Sequence, residues 1–212
     1  MLDEDDDGMD MLHYGDNISL QDLVNDGYLA ADGILAENVY VDPKTTSIFG
    51  SLFCIHLQRQ YSAHRELEDF MYLHRNDSEE QLKDPSTAKF LQALQRGVRN
   101  EDQLNERKNE KLFGKPLHFG DKVQLYHVQS GKYVTVVPTS LAKDERENLK
   151  VCLSCAGNQY SWLTLNPRYK IDRPGDRIVS KHEIFLTVTE VILKIQFSKK
   201  TSNTSEAKND FI

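Results

Sequence analysis

The sequence predicts a mainly β fold of three related units with a helical insertion in the first. Three observations carry that prediction. A Gly-Asp pair, one further residue and a β-branched residue recur as "YGDNI" at 14–18, "FGDKV" at 119–123 and "PGDRI" at 174–178. Short apolar runs broken by Gly, Asp and Pro fill most of the remaining chain. Residues 62–113 alone switch to helical periodicity. With that block of about 50 residues set aside, the spacings between the three copies agree. Three β units of this size suggest a closed barrel capped by hairpins, a β-trefoil, in which no sheet edge is left bare.

The elements follow in order. Residues 1–11, "MLDEDDDGMDM", read as a solvated acidic tail. The folded unit is expected over 12–196. Its first part, "DGYLAADGILAENVYVDP", carries the turn pairs Asp26-Gly27 and Asp32-Gly33, and Pro43 stops the run. "SIFGSLFCIHL" at 47–57 suits a buried strand. In the insertion, Leu67, Phe70, Met71 and His74 share one helical face. Asn76 and Asp77 break that helix, and Asp84-Pro85 caps and opens the next. Phe90, Leu91, Leu94 and Val98 continue the helical period. "RNEDQLNERKNEKLFG" has only Leu104 apolar before Leu112, so it buries little and projects from the body or lies half exposed. Gly114 and Pro116 end the arm.

"FGDKVQLYHVQSGKYVTV" at 119–136 is a hairpin. Val123, Leu125 and His127 alternate onto one face, Ser130-Gly131 turns, and Tyr133 to Val137 return. His127 is a candidate ligand or base, but the favoured reading is a satisfied histidine at the hairpin mouth. Trp162, in "YSWLTL", is placed in a core strand. Residues 197–212 form a polar tail expected to be disordered.

The net charge of -7 argues against a general nucleic-acid or anionic-membrane binder. No apolar run reaches the ~20 residues that span a bilayer, so no direct membrane insertion is expected, and the start lacks a secretory signal. Cys152 and Cys155 make one C-x-x-C, and Cys54 is the remaining cysteine. One pair with no partner pair or spaced histidines falls short of a structural zinc site, so reduced thiols are expected. No nucleophile elbow, zinc-protease helix, phosphate loop or dinucleotide fingerprint is present. The expectation is no enzyme, no cofactor and no metal.

The wider sequence resembles a known family. "LHYGDNISL", "RQYSAHRELEDF", "NERKNEKLFGKPLHFGDKVQLYHVQSGKYVTV" and "AGNQYSWLTLNPRYKIDRPGD", in that order, resemble the N-terminal suppressor domain of inositol 1,4,5-trisphosphate receptors, a trefoil of the MIR type. The resemblance covers about residues 12–188. It implies a regulatory module of a tetrameric calcium-release channel, with a protruding helix-turn-helix arm. Such a module lowers the ligand affinity of the binding core that follows it and couples ligand binding to gating. Its implied partner is that core, in the same or a partner receptor, within a homotetramer when the receptor is full length. The implied location is the cytosolic face of the endoplasmic reticulum, or the cytoplasm for this short chain alone.

The resemblance also implies that Tyr169, in "NPRYKI", is the exposed loop tyrosine that matters for coupling, flanked by Arg168 and Lys170. Arg168 stands where the family has a second aromatic. Gln129 stands where members often carry a basic residue. The family's ligand-binding basic residues lie in later domains, so no tight inositol phosphate binding is expected of this chain alone. After "PGDRIVSKHEIFLTV" the text "TEVILKIQFSKKTSNTSEAKNDFI" departs from the family. It suggests a truncated product, unless "EVILKIQF" supplies a substitute strand. The alternative reading is a free-standing trefoil interaction module.

Overall fold

A computed structural model describes residues 10–43, 49–76, 84–143 and 147–188. The acidic start through residue 9 and everything after Val188, including "EVILKIQF" and the polar end, lie outside the described residues. The fold is mainly β, with an inserted helical arm. The strands are β1 (Asn17–Ile18), β2 (Gln21–Asp22), β3 (Gly27–Ala30), β4 (Tyr40–Asp42), β5 (Phe53–Leu57), β6 (Lys122–His127), β7 (Lys132–Leu141), β8 (Leu149–Ser154), β9 (Leu163–Pro167) and β10 (Ile184–Val188). Helices α1 (Ser62–Leu73) and α2 (Pro85–Leu112) lie between β5 and β6.

Three turns with the same backbone organise the barrel: His13–Asp16, His118–Asp121 and Val179–His182. In each, the last N–H donates to the first carbonyl, at 3.1 Å in all three. The last side chain accepts from the first N–H, at 2.8, 2.9 and 3.4 Å. The third residue has positive φ: Gly15 at 94°, Gly120 at 96° and Lys181 at 81°. Glycine reaches this region freely; lysine does so at a cost. The residues preceding these turns close a ring. Leu12 N–H donates to Ile178 at 2.9 Å, Ile178 to Leu117 at 2.9 Å, and Leu117 back to Leu12 at 2.8 Å. A second ring lies beside it: Tyr14 to Lys115 at 3.0 Å, Phe119 to Asp176 at 2.9 Å and Ser180 to Asp10 at 2.8 Å. A cyclic pattern of this kind requires a threefold axis through the barrel, the plan of a β-trefoil.

The third copy of the motif is therefore displaced from its expected place. "PGDRI" forms a local turn of its own, with Gly175 at φ 96° and Arg173 N–H donating to the Asp176 carboxylate at 2.8 Å. Its Ile178 starts no strand. It occupies the position of Leu12 and Leu117, and β10 begins only at Ile184. A Gly-Asp pair specifies a turn, not where the following chain joins a barrel. The turn that does so is Val179–His182, and it has lost its glycine.

The wall runs antiparallel from β1 through β5, β6 and β9 to β10, while β7 and β8 extend from β6. Strands β2, β3 and β4 form a smaller sheet. Phe53, Ile55, Leu117, Phe119, Val123, Leu125, Leu163 and Ile178 fill the interior. Of the predicted 47–57 strand, whose described part is 49–57, Phe53–Leu57 is β. Phe49–Ser51 is a 3-10 turn and Phe49 is exposed, because the Gly50 carbonyl is taken by Ala31 N–H (2.9 Å) and the His127 ring (3.2 Å).

His127 is a core residue. It is fully buried, with Nε2 donating to the Gly50 carbonyl and Nδ1 accepting from the Ser130 hydroxyl at 2.8 Å. Both ring nitrogens are occupied, which removes it from consideration as a ligand or base. Burial lowers its pKa.

Candidate functional site

Two places concentrate polar and aromatic side chains in defined geometry: the seam between arm and barrel, and the loop joining β9 to β10.

The seam is polar. Residues Glu101, Asn105 and Asn109 recur at every fourth position of α2 and share one face. That face meets the chain leaving β5. Asn105 accepts from Gln60 N–H at 2.8 Å and donates to the Gln60 carbonyl at 2.9 Å, copying a strand pairing with a side-chain amide. Asn109 accepts from Leu57 N–H at 3.2 Å. Tyr61 gives α1 no side-chain cap. Glu101 caps it from the other helix, accepting from Ala63 N–H at 3.1 Å, His64 N–H at 3.3 Å, the Ser62 hydroxyl at 2.9 Å and the His64 ring at 3.1 Å. Burial pushes the Glu101 carboxyl up; the bonds from Ala63, His64 and Ser62 outweigh it, and the net shift is downward.

The only buried residues of α2 are thus Glu101 and Asn105, while Leu104 and Phe90 are exposed. The expectation of little burial holds, but apolar periodicity does not register the narrow face that docks by hydrogen bonds. The signal present in the sequence was the Glu-x-x-x-Asn-x-x-x-Asn spacing. In α1 the buried residue is Phe70; Met71, placed on the same face by the sequence reading, is exposed. The stripe runs through Leu67 and Phe70 to His74, which stacks on Phe70 at 4.0 Å.

Arg59 ties the seam to the barrel. Its guanidinium donates to Asp102 at 3.1 Å and to the Tyr133 hydroxyl at 3.2 Å, and its carbonyl accepts from Trp162 Nε1 at 2.8 Å. Trp162 is half-buried at the arm base, stacked on Tyr61 at 6.2 Å, not in a core strand: its indole N–H needs an acceptor, and the Arg59 carbonyl is it. Beside it His56 stacks on Tyr126 at 4.7 Å. Burial, helped by the Arg59 charge, lowers the His56 pKa to about 4. The unfolded chain then binds a proton that the folded chain refuses. Stability is complete above pH ~6.5 and falls as pH drops from there toward 4. Urea titrations at pH 7 and pH 5 check this, with His56→Phe expected to shrink the difference.

The second place holds Arg168, Tyr169 and Lys170. All three are exposed, at the tip of the β9–β10 hairpin. Tyr169 donates its hydroxyl to Glu183 at 2.8 Å, and Arg168 pairs with the same carboxylate at 3.1 Å while its guanidinium lies 5.8 Å from the Tyr169 ring. Hydrogen bonding to Glu183 raises the Tyr169 pKa, so the phenol stays protonated. Ile171, next in the loop, is 85% exposed, and Phe185 on β10 is exposed as well. The loop offers an aromatic ring of fixed orientation, an aliphatic side chain and a lysine. Gln129 is exposed at the tip of the β6–β7 turn.

Cys54, Cys152 and Cys155 are free thiols. Among the described residues no three His, Cys, Asp or Glu side chains gather as metal ligands, and no helix is long and apolar enough to cross a membrane.

The sequence profile of the inositol 1,4,5-trisphosphate/ryanodine receptor family matches residues 7–211. The chain belongs to this family. It corresponds to an N-terminal domain of an inositol 1,4,5-trisphosphate receptor. The inositol 1,4,5-trisphosphate receptor itr-1 of Caenorhabditis elegans is 37% identical over 102 residues, which is 48% of this chain and 4% of that receptor. A solved structure of a C. elegans protein of unknown function superposes with a TM-score of 0.51 at 11% identity, covering 86% of this chain and 76% of that one. This last likeness is one of fold alone. The family match continues through the residues after Val188, so the reading of that stretch as foreign to the family is corrected.

Proposed function

We propose that this chain is the N-terminal regulatory, suppressor-type module of an inositol 1,4,5-trisphosphate-gated calcium-release channel, acting by contact and not by catalysis. In this reading it tunes the ligand affinity of the binding core that follows it and passes ligand occupancy to the gate. The observation that carries it is the β9–β10 loop, where Glu183 and Arg168 hold Tyr169 in place with Lys170 and Ile171 outward. A tyrosine restrained before contact loses little entropy on docking and suits an interface anchor. The partner is the inositol trisphosphate-binding core of the same or a neighbouring subunit, in a homotetramer on the cytosolic face of the endoplasmic reticulum.

The test is a titration of inositol 1,4,5-trisphosphate into a binding-core fragment with and without this chain. Ligand affinity is expected to fall when the chain is present, and by linkage the ligand weakens binding of the chain by the same factor. Tyr169→Ala is expected to cut that coupling about tenfold while leaving the melting curve unchanged. An affinity indifferent to the chain would point instead to a free-standing interaction module.

A further inference from the structure

We infer that the cleft between the start of α1 and the 3-10 turn Gln159–Ser161 is a docking pocket for one aromatic side chain from an acidic segment of a partner protein. The inference does not rest on the regulatory role proposed above.

The cleft has a volume of ≈ 210 Å³. Gln60, Tyr61, Ser62 and Arg65 line it from the arm side, and Gln159 and Trp162 from the barrel side. Small-molecule and cofactor sites usually enclose about 300–1,000 Å³. This one has room for a single large side chain, the scale on which a protein interface seats an anchor.

Its walls are held in place without a ligand. The Tyr61 hydroxyl donates to the Ala156 carbonyl at 3.1 Å and accepts from Gln124 Nε2 at 2.8 Å. The turn opposite is capped reciprocally: Asn158 accepts from Tyr160 N–H at 2.8 Å, and the Ser161 hydroxyl accepts from Asn158 N–H at 3.0 Å. Trp162 is pinned through its indole N–H to the Arg59 carbonyl, yet it is half-buried, so part of the ring stays open. A ring entering the cleft therefore meets an aromatic wall that needs no rearrangement.

The polar lining selects charge. No carboxylate lines the cleft, and Arg65 is the one charged residue among the six. Its guanidinium donates to Gln159 Oε1 at 3.2 Å, a neutral acceptor that spans arm and barrel and leaves the positive charge uncompensated. The remaining guanidinium N–H groups are available to an anion. The first amides of α1, the other donors at this place, are already taken by Glu101. Recognition of an anion thus falls to Arg65, and recognition of a ring to Trp162 and Tyr61. An Asp or Glu beside a Phe or Tyr in a partner segment satisfies both, and a basic segment would meet Arg65 with like charge.

Trp162 is the one tryptophan of the chain, so its emission reads the cleft directly. The full chain is titrated with acetyl-Glu-Phe-Glu-amide. The expected result is a saturable blue shift with a dissociation constant of about 1 mM, the range that a single anchored side chain reaches. On the same unaltered chain, acetyl-Glu-Ala-Glu-amide and acetyl-Lys-Phe-Lys-amide are expected to bind at least about tenfold more weakly. Arg65→Met, at an exposed position, is expected to weaken the Glu-Phe-Glu peptide about tenfold with the melting curve unchanged. Lys89→Met, about 18 Å along α2 from Glu101, is the control and should leave the constant as it was. No emission change up to about 20 mM peptide would overturn the pocket. A lysine or alanine peptide that binds as tightly as the parent peptide would overturn the acidic-aromatic partner, and so would undiminished binding by Arg65→Met. The peptide comparison decides even where a variant fails to fold.

Discussion

Glu101→Ala is expected to destabilise the protein by about 3 kcal/mol and to release the arm from the barrel. The carboxylate is nearly buried and accepts from the first amides of α1, which otherwise have no cap. Removing it strands those N–H groups, the Ser62 hydroxyl and the His64 ring together. Each buried donor left alone costs about 1–3 kcal/mol, and water entering the vacated space returns part of that. Amide exchange in α1 should accelerate more than exchange in β6, because the barrel strands do not depend on this group. Glu101→Gln retains one acceptor oxygen and should cost less. Acid gives a second route to the same state. A carboxyl with a lowered folded pKa contributes stability that is complete above its unfolded value of about 4.3 and is lost as pH falls through the folded one. A urea midpoint for Glu101→Ala within error of the parent chain would refute the capping role.

Leu117→Ala is expected to cost about 3–4 kcal/mol. Leu117 is 0% exposed, and its backbone both donates and accepts in the ring that closes the threefold axis. The backbone bonds survive the substitution; the side-chain volume at the centre of the core does not. Neighbours drawn from all three units cannot collapse into the space without shifting the ring, so the cavity persists. Val24→Ala, at a site 88% exposed, is the control and should lie within about 0.5 kcal/mol of the parent. Chemical denaturation of both variants checks the contrast.

Much of the fold was legible in the sequence because its turns use residues with few alternatives. Gly15 and Gly120 sit at positive φ with Asp side chains folded back onto the preceding amides, and a Gly-Asp pair signals that arrangement. Asp84-Pro85 opened α2 as expected, the Asp84 side chain accepting from Ser86 and Thr87. The third unit was misplaced by one turn because Lys181 adopts a conformation that its side chain does not advertise. The arm seam stayed hidden for a different reason. Hydrophobic periodicity reports where water is excluded by oil, and Glu101, Asn105 and Asn109 dock by satisfying backbone amides. Tyr169 was legible as an exposed loop residue through resemblance; its brace by Glu183 was not, since that carboxylate comes from the far side of the hairpin.

The position of the arm bears on how the chain reaches its native state. Strands β5 and β6 lie side by side, with Leu57 opposite Val123, yet the whole arm separates them in sequence. A flexible tether of that length would make their pairing slow, because closing it precedes any reward from the sheet. The arm is a pair of helices, and Asn109 near its exit bonds to Leu57 at its entrance. Helices form from local contacts in about a microsecond. Once the hairpin of helices has formed, the two strands are delivered to one another as though a short turn joined them. The insertion is expected to act as a folding staple: Leu94→Pro, which disrupts helix pairing, should slow refolding by far more than it speeds unfolding, as stopped-flow refolding would read.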